Sequence, residues 1–299
     1  MQQLKNFAEN NPRLVTVRQS TRYPDLQVVK YHRRVFYDAL WTPELQEMRG
    51  LVVDQDWRPV VRPFTKVFNR GEGGTDLPLD HDVIAIRKIN GFMAGYTRDP
   101  VHGNIVSTTG SLDSEFSDLA RQHLSWLDQR SVPEGLTLLW EIVDPSDPHI
   151  VPEQAGAWLI GARWVQSGFS VSEVELDAMA DSFGAQALRP ETIRGQFRDI
   201  LRAVKCCRHE GFMVYSQTGE GCLKLKSPYY LVNKLVARKR ADRITPQWLA
   251  SCRETIAEEF YPLLDHLQAN LDQFVALDEQ ARLAYLREYF GGELDRPVL

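Results

Sequence analysis

Short apolar runs separated by turn-forming residues recur from Gln27 to Leu225, and after Tyr229 apolar positions spaced three and four apart replace them. Arg49–Asp54 and Pro59–Val61 read as strands around a turn at residues 55–58. Val83–Lys88 and Phe92–Thr97 read as strands joined by a hairpin at Asn90-Gly91, the dipeptide best suited to a tight two-residue turn. Asn104–Thr108 is a further strand, and Leu136–Val143 and Ala157–Arg163 are buried ones. Leu112–Asp128 is amphipathic and predicts a helix capped by Asp113 or Ser114; helices also fit Ser172–Ser182 and Glu191–Ala203. Gly211–Ser216 and Cys222–Lys226 form a second hairpin through residues 217–221. Between Pro246 and Tyr289 there is no strand signal and no glycine, and Leu263, Leu267, Leu271 and Phe274 recur at helical spacing. That seam packs either within its own domain or on a second subunit. The expected fold class is α+β, with residues 1–240 a largely antiparallel sheet domain and 241–299 a small helical domain.

Composition narrows the picture little: 43% hydrophobic and 25% charged positions are ordinary for a soluble globular chain. No apolar run approaches the roughly 20 residues that span a bilayer, and the first residues lack a basic-then-apolar pattern, so no membrane association and a cytoplasmic location are expected. Cys206, Cys207, Cys222 and Cys252 form neither a disulfide framework nor a zinc motif and read as reduced thiols. Charge is more telling in its distribution than in its sum. The net charge is −5, yet residues 221–243 hold seven Lys/Arg against the single acid Asp242, and residues 252–299 hold ten Asp/Glu against four Arg. A basic patch within an acidic chain suits a polyanionic ligand better than general DNA coating.

The chemistry-bearing residues sit at the ends of apolar strands. Lys88 closes one strand in Lys88-Ile89-Asn90-Gly91; by itself it is equally a solvated lysine at a sheet edge. Lys224 and Lys226 share one face of a strand whose Leu223 and Leu225 face a core. Two ammonium groups side by side repel each other unless phosphates lie between them, although a merely solvated face fits the same pattern. Glu141 in Leu138–Val143 and Glu210 before Gly211-Phe212 are carboxylates in apolar surroundings, where an unpaired charge is costly. Salt bridges would explain either; two carboxylates meeting several lysines would instead describe a site for a nucleotide and a divalent metal. Arg49-Gly50 and Lys66-Val67-Phe68-Asn69 repeat the theme of cations at strand ends. No glycine-rich phosphate loop, Ser/His/Asp elbow or HExxH is present, so side-chain cations would have to hold any phosphates.

In chain order these pieces resemble the lysine-adenylating nucleotidyltransferases, namely RNA ligases, DNA ligases and capping enzymes, and most closely the phage-type RNA ligase 1 family. Six blocks carry the likeness across residues 30–230: Arg49-Gly50, Lys66-Val67-Phe68-Asn69, Lys88-x-x-Gly91, Trp140-Glu141-Ile142-Val143, Glu210-Gly211-Phe212 and Lys224-Leu225-Lys226. The resemblance implies a nucleotidyltransferase domain of antiparallel sheets flanked by helices. It implies that Lys88 is the nucleophile forming a lysyl-AMP from ATP, and that Tyr31, Arg49, Lys66, Phe68 and Gly91 belong to the nucleotide site. Glu141 would hold the ribose, Glu210 would place magnesium (or manganese) through its waters, and Lys224 and Lys226 would neutralise the triphosphate. Lys66, Lys224 and Lys226 around Lys88 are expected to lower its pKa from the usual value near 10.4. The implied partners are RNA ends bearing a 5′-phosphate and a 3′-hydroxyl, in tRNA or other RNA repair, with a polynucleotide kinase-phosphatase preparing them in a phage-infected or bacterial cell. Two departures stand out: Thr109-Gly110-Ser111 where the family tends to have a lysine before Gly-Ser, and a tail after Arg240 with no match to the family's RNA-specificity domain. The competing readings are a DNA ligase or capping-type transferase, which usually append an all-β domain, and a non-catalytic RNA- or nucleotide-binding protein of this fold.

Overall fold

The computed structural model describes residues 1–217, 221–256 and 260–292. Three sheets make up the larger part. The first is an antiparallel meander of β1 (Val15–Gln19), β2 (Leu26–Tyr31), β3 (Arg49–Asp54) and β4 (Pro59–Val61), covered by the helix Gln2–Asn10. A bulge between Val29 and Lys30 sets Lys30 opposite Arg49. Gly50, at a φ of 90°, lets β3 run against Thr109; a Cβ there would stand 2.6 Å from the Thr109 Cα.

The remaining strands are β5 (Phe68–Asn69), β6 (Asp82–Arg87), β7 (Phe92–Asp99), β8 (Gly103–Thr108), β9 (Leu136–Val143), β10 (Gly156–Trp164), β11 (Ala187–Leu188), β12 (Thr192–Gln196), β13 (Gly211–Ser216) and β14 (Cys222–Lys226). They form two five-stranded sheets, ordered β11-β10-β9-β7-β8 and β12-β6-β13-β14-β5. All neighbours are antiparallel except the short β10–β11 and β14–β5 pairs.

Strand alternation places the polar residues. On β9, Leu136, Leu138, Trp140 and Ile142 pack with Leu124 and Phe183 of the helices Glu115–Leu124 and Glu173–Phe183. Each such side chain contributes about 1.5–3 kcal/mol through burial. Residues two apart share a face, so Thr137, Leu139 and Glu141 turn the other way. The anchored face thus holds Glu141 rigidly in an interior it would not choose on its own. The third sheet is built alike: Val83, Ala85, Val214, Leu223 and Leu225 pack with Phe197, Ile200 and Val204 of the helix Phe197–Cys206, which leaves Lys224 and Lys226 on the opposite face.

Beyond β14 the described residues form helices and no strand: Pro228–Ala237, Pro246–Cys252, Tyr261–Ala269, Leu271–Ala276 and Glu279–Gly292, with a short 3-10 turn. Leu263, Leu267 and Phe274 share one core with Tyr230, Val232 and Val236, and with Ile150 and Val151 from the loop after β9. The apolar seam is therefore filled within the chain. Among the described residues no helix is long and apolar enough to cross a membrane.

The structure corrects three expectations. Asn90-Gly91 does not close a hairpin: β6 and β7 lie in different sheets, and the dipeptide carries the chain between them. Gly91 does not adopt positive φ; it is required because a Cβ would collide with the Ile142 carbonyl. Residues 191–203 are not one helix. Thr192–Gln196 pairs with β6 as an edge strand, Gly195 lying within it, and the helix begins at Phe197. The helix expected over residues 112–128 is shortened to Glu115–Leu124, with a 3-10 turn after it; Ser114 caps it, while Asp113 instead accepts from the Thr21 and Arg22 amides. The turn of the β13–β14 hairpin lies partly outside the described residues.

Candidate active site

A cavity of about 370 Å³ opens where the three sheets meet. Arg49 reaches it from β3, Met93 from β7, Glu141 from β9, Ile160 from β10, Met213 and Tyr215 from β13, and Lys224 from β14; Lys88 and Gly91 line it from the crossing segment. Its volume falls in the range of small-ligand sites.

Lys88 sits at the bottom of a charged cluster. Its amide donates to the Gly211 carbonyl at 2.8 Å, and its Nζ stands 3.2 Å from Glu210 Oε2. Glu210 is 3% exposed and takes two more partners: Asn90 Nδ2 donates to Oε2 at 2.7 Å, and Lys226 Nζ lies 3.5 Å from Oε1. The Asn90 Oδ1 accepts from the Val151 amide at 3.0 Å, so this side chain ties the crossing segment to both Glu210 and the loop before β10. Glu141 is buried and accepts from the Gly91 amide at 3.2 Å.

The two carboxylates reverse the expectation for Lys88. Burial acts to lower its pKa, but the charges of Glu141 and Glu210 outweigh it and hold the resting ammonium above the usual lysine value. Burial raises the Glu141 carboxyl, against the pull of Lys88. The lysine that does lose its grip on a proton is Lys224. Burial, then the neighbouring charges of Lys66, Arg49, Lys226 and Lys88, push it down from 10.5 to about 7. Lys226 is also lowered, by burial first, with Glu210 opposing.

The other expected residues are placed less uniformly. Lys66 is buried away from the cavity, 3.1 Å from Glu72 Oε1 and 4.4 Å above the Phe68 ring. Phe68 does not line the cavity; it packs edge-on against Trp41, which packs edge-on against Tyr31. Tyr31 opens onto an adjoining cleft that shares Arg49 and Thr109 with the cavity. Glu210 and Lys226 stand behind Lys88 without lining the cavity themselves.

Sequence reasoning missed Asn90, whose turn-forming character masked its side-chain role. It also missed the apolar lining, Phe64, Met93, Ile160 and Met213, because these residues come from separate elements with no shared local pattern. One trace existed: Gly161 interrupts an apolar strand, and a Cβ there would overlap the Phe64 ring.

The donor set fits a hydrated divalent ion. Glu141 lines the cavity and Glu210 stands just behind Lys88, both buried, and among the described residues no group of three His, Cys, Asp or Glu side chains would form a full protein cage. Magnesium normally keeps several waters and takes only one or two carboxylates.

No family model matches this chain, and no curated protein matches it significantly. Solved structures do match. Two forms of an archaeal ATP-dependent RNA ligase align with TM-scores of 0.55 and 0.58 at 15% and 14% identity, over 80% and 89% of this chain and 64% and 75% of theirs. A candidate ATP-dependent DNA ligase of Aquifex aeolicus aligns with a TM-score of 0.56 at 13% identity, over 99% of this chain and 76% of its own. At such identities the likeness is one of fold. This chain has the α+β nucleotidyltransferase fold of ATP-dependent polynucleotide ligases, and it spans less than two-thirds of one of these relatives and about three-quarters of the others.

Proposed function

We propose that this chain is an ATP-dependent RNA ligase that works through a covalent lysyl-AMP. The observation that carries the reading is Lys88 lining a cavity of about 370 Å³, between Glu141 and Glu210, with Arg49 and Lys224 lining the same cavity. In the first step Lys88 Nζ passes its proton to the Glu210 carboxylate 3.2 Å away and bonds to the α-phosphorus of ATP as the bond to the bridging oxygen breaks and pyrophosphate leaves. Arg49 and Lys224 stabilise the charge that gathers on the phosphate oxygens, an effect that preorganised cations exert without reorganising. Glu141 would bind the ribose hydroxyls, and Glu210 would hold the waters of magnesium or manganese. The metal's chemistry is charge neutralisation on the phosphates. An RNA 5′-phosphate oxygen then takes the adenylyl group from Lys88, and a 3′-hydroxyl displaces AMP to seal the strand.

What supports RNA over the DNA-ligase and capping readings is the order of the six sequence blocks, which most resembles the phage-type RNA ligase 1 family. Incubation with α-labelled ATP and magnesium tests the proposal: label should survive denaturation and vanish in Lys88→Ala. Label that persists in that variant moves the nucleophile elsewhere, label from GTP alone points to capping chemistry, and no label on a folded protein leaves a binding protein. Sealing of a nicked RNA set beside a nicked DNA decides the substrate.

A further inference from the structure

The adjoining cleft, about 430 Å³, has walls from the end of β2, from the start of the helix Arg33–Tyr37, and from Thr109-Gly110. Lys30, Arg33 and Arg49 face it, and none of them forms an ion pair with a described carboxylate. Nearby Arg34 and Arg62 do, with Asp38 at 2.8 Å and Glu47 at 2.6 Å. Lys30 and Arg49 are direct cross-strand neighbours, and like charges so placed are destabilising. The Lys30 ammonium lies 3.7 Å from the point where a side chain on Gly110 would begin, which sets it directly against the Thr109-Gly110 wall. In a chain of net charge −5, this concentration of unanswered cations points to an anion held between them.

A second observation gives the anion its class. The helix that begins with Arg33 ends in two exposed rings, Phe36 at 54% and Tyr37 at 76%, with centroids 5.7 Å apart. With a rise of about 1.5 Å per residue, Tyr37 lies only about 6 Å along the axis from Arg33. A cationic groove beside exposed aromatic rings is the combination that binds unpaired nucleic acid, backbone in the groove and bases on the rings. Bases locked in a duplex do not offer their faces to a side chain.

We propose that this cleft binds the single-stranded RNA whose 5′ end is joined, with Lys30, Arg33 and Arg49 taking its terminal phosphates and Tyr37 and Phe36 stacking its bases. The strand would then enter the cavity past Thr109, which both spaces share. The direction of the strand rests on the ligase reading; the binding of a strand does not.

The test is fluorescence anisotropy with a short 5′-phosphorylated single-stranded oligoribonucleotide over a salt series, beside α-labelled ATP incorporation by the same proteins. The double variant Lys30→Ala/Arg33→Ala should bind about tenfold or more weakly, with the salt slope reduced by about 1.4, since each phosphate contact on a single strand contributes about 0.7. Tyr37→Ala should bind roughly five- to a hundredfold more weakly with the slope unchanged, because stacking releases no counterions. Both should take up label like the parent. Unchanged affinity and slope in the double variant would overturn the proposal, as would a parallel loss of labelling, which would mean that the substitutions damage the cavity. A parent that takes no label yet loses RNA binding on these substitutions would end the ligase reading and leave the strand site standing.

Discussion

The two walls of the cavity treat charge in opposite ways. On one side Lys88 and Glu141, with Glu210, Lys226 and Asn90 behind them, form a closed set of opposite charges and hydrogen bonds. On the other, Arg49 and Lys224 form no ion pair among the described residues, Arg49 acting on Glu141 only through longer-range charge, and Lys224 is pushed down to about 7. The paired wall is complete before any ligand arrives and holds Lys88, the nucleophile we propose, in place. The unpaired wall is an electrostatic strain that loss of the Lys224 proton or a bound anion relieves. The same fold carries both because each wall is the free face of a strand whose other face is anchored in an apolar core.

The contrast breaks most completely at the paired wall, where Lys88→Ala should abolish covalent AMP, as the labelling assay reads directly. At the unpaired wall Lys224→Met should lower the adenylation rate by about 10²-fold or more, the usual scale for losing one charge-stabilising group. The same change should stabilise the protein, by about 0.5–2 kcal/mol, because it removes a strained cation; thermal unfolding measures it. A variant that loses activity and stability together would place Lys224 in the structural scaffold instead.

The pH dependence sharpens the comparison. Lys224 is cationic below about 7 and neutral above. Nucleotide binding favours the cation, so affinity should fall by about fivefold between pH 7 and 8 while the bound lysine stays charged. Calorimetry in buffers of different ionisation enthalpy should show proton uptake on binding, and Lys224→Met should abolish it. The linkage with stability has the opposite slope. The folded value lies below the ordinary 10.5, so between about 7 and 10.5 the unfolded chain holds more protons at this residue, and its contribution to stability rises with pH.

The smallest effect on adenylation is expected at Asn90. Asn90→Ala frees Glu210 from its 2.7 Å donor and leaves the buried Val151 amide unpaired, which should cost about 1–3 kcal/mol of stability. Adenylation should slow only severalfold, since Lys226 still holds Glu210; a loss as large as that of Lys224→Met would give Asn90 a place beside the nucleotide.

The strand pattern, the cap at Ser114, the helical tail and the placing of Lys88, Glu141, Glu210 and Lys224 at or in apolar strands were legible in the chain because each rests on local chemistry: alternation along a strand, a hydroxyl at a helix start, a charge inside an apolar run. The crossing at Asn90-Gly91 was not. A short-range turn preference of the backbone lost to partners far along the chain, Glu210, Val151 and Ile142. The protonation states were illegible for the same reason. Three neighbouring lysines suggested a depressed Lys88, but electrostatics falls off with distance in space, not in sequence. Packing brought two carboxylates to Lys88 and left Lys224 among cations. Sequence alone determined which groups are present and which faces they share. Tertiary structure decided which of them meet, and therefore which lysine is held charged and which gives up its proton near neutral pH.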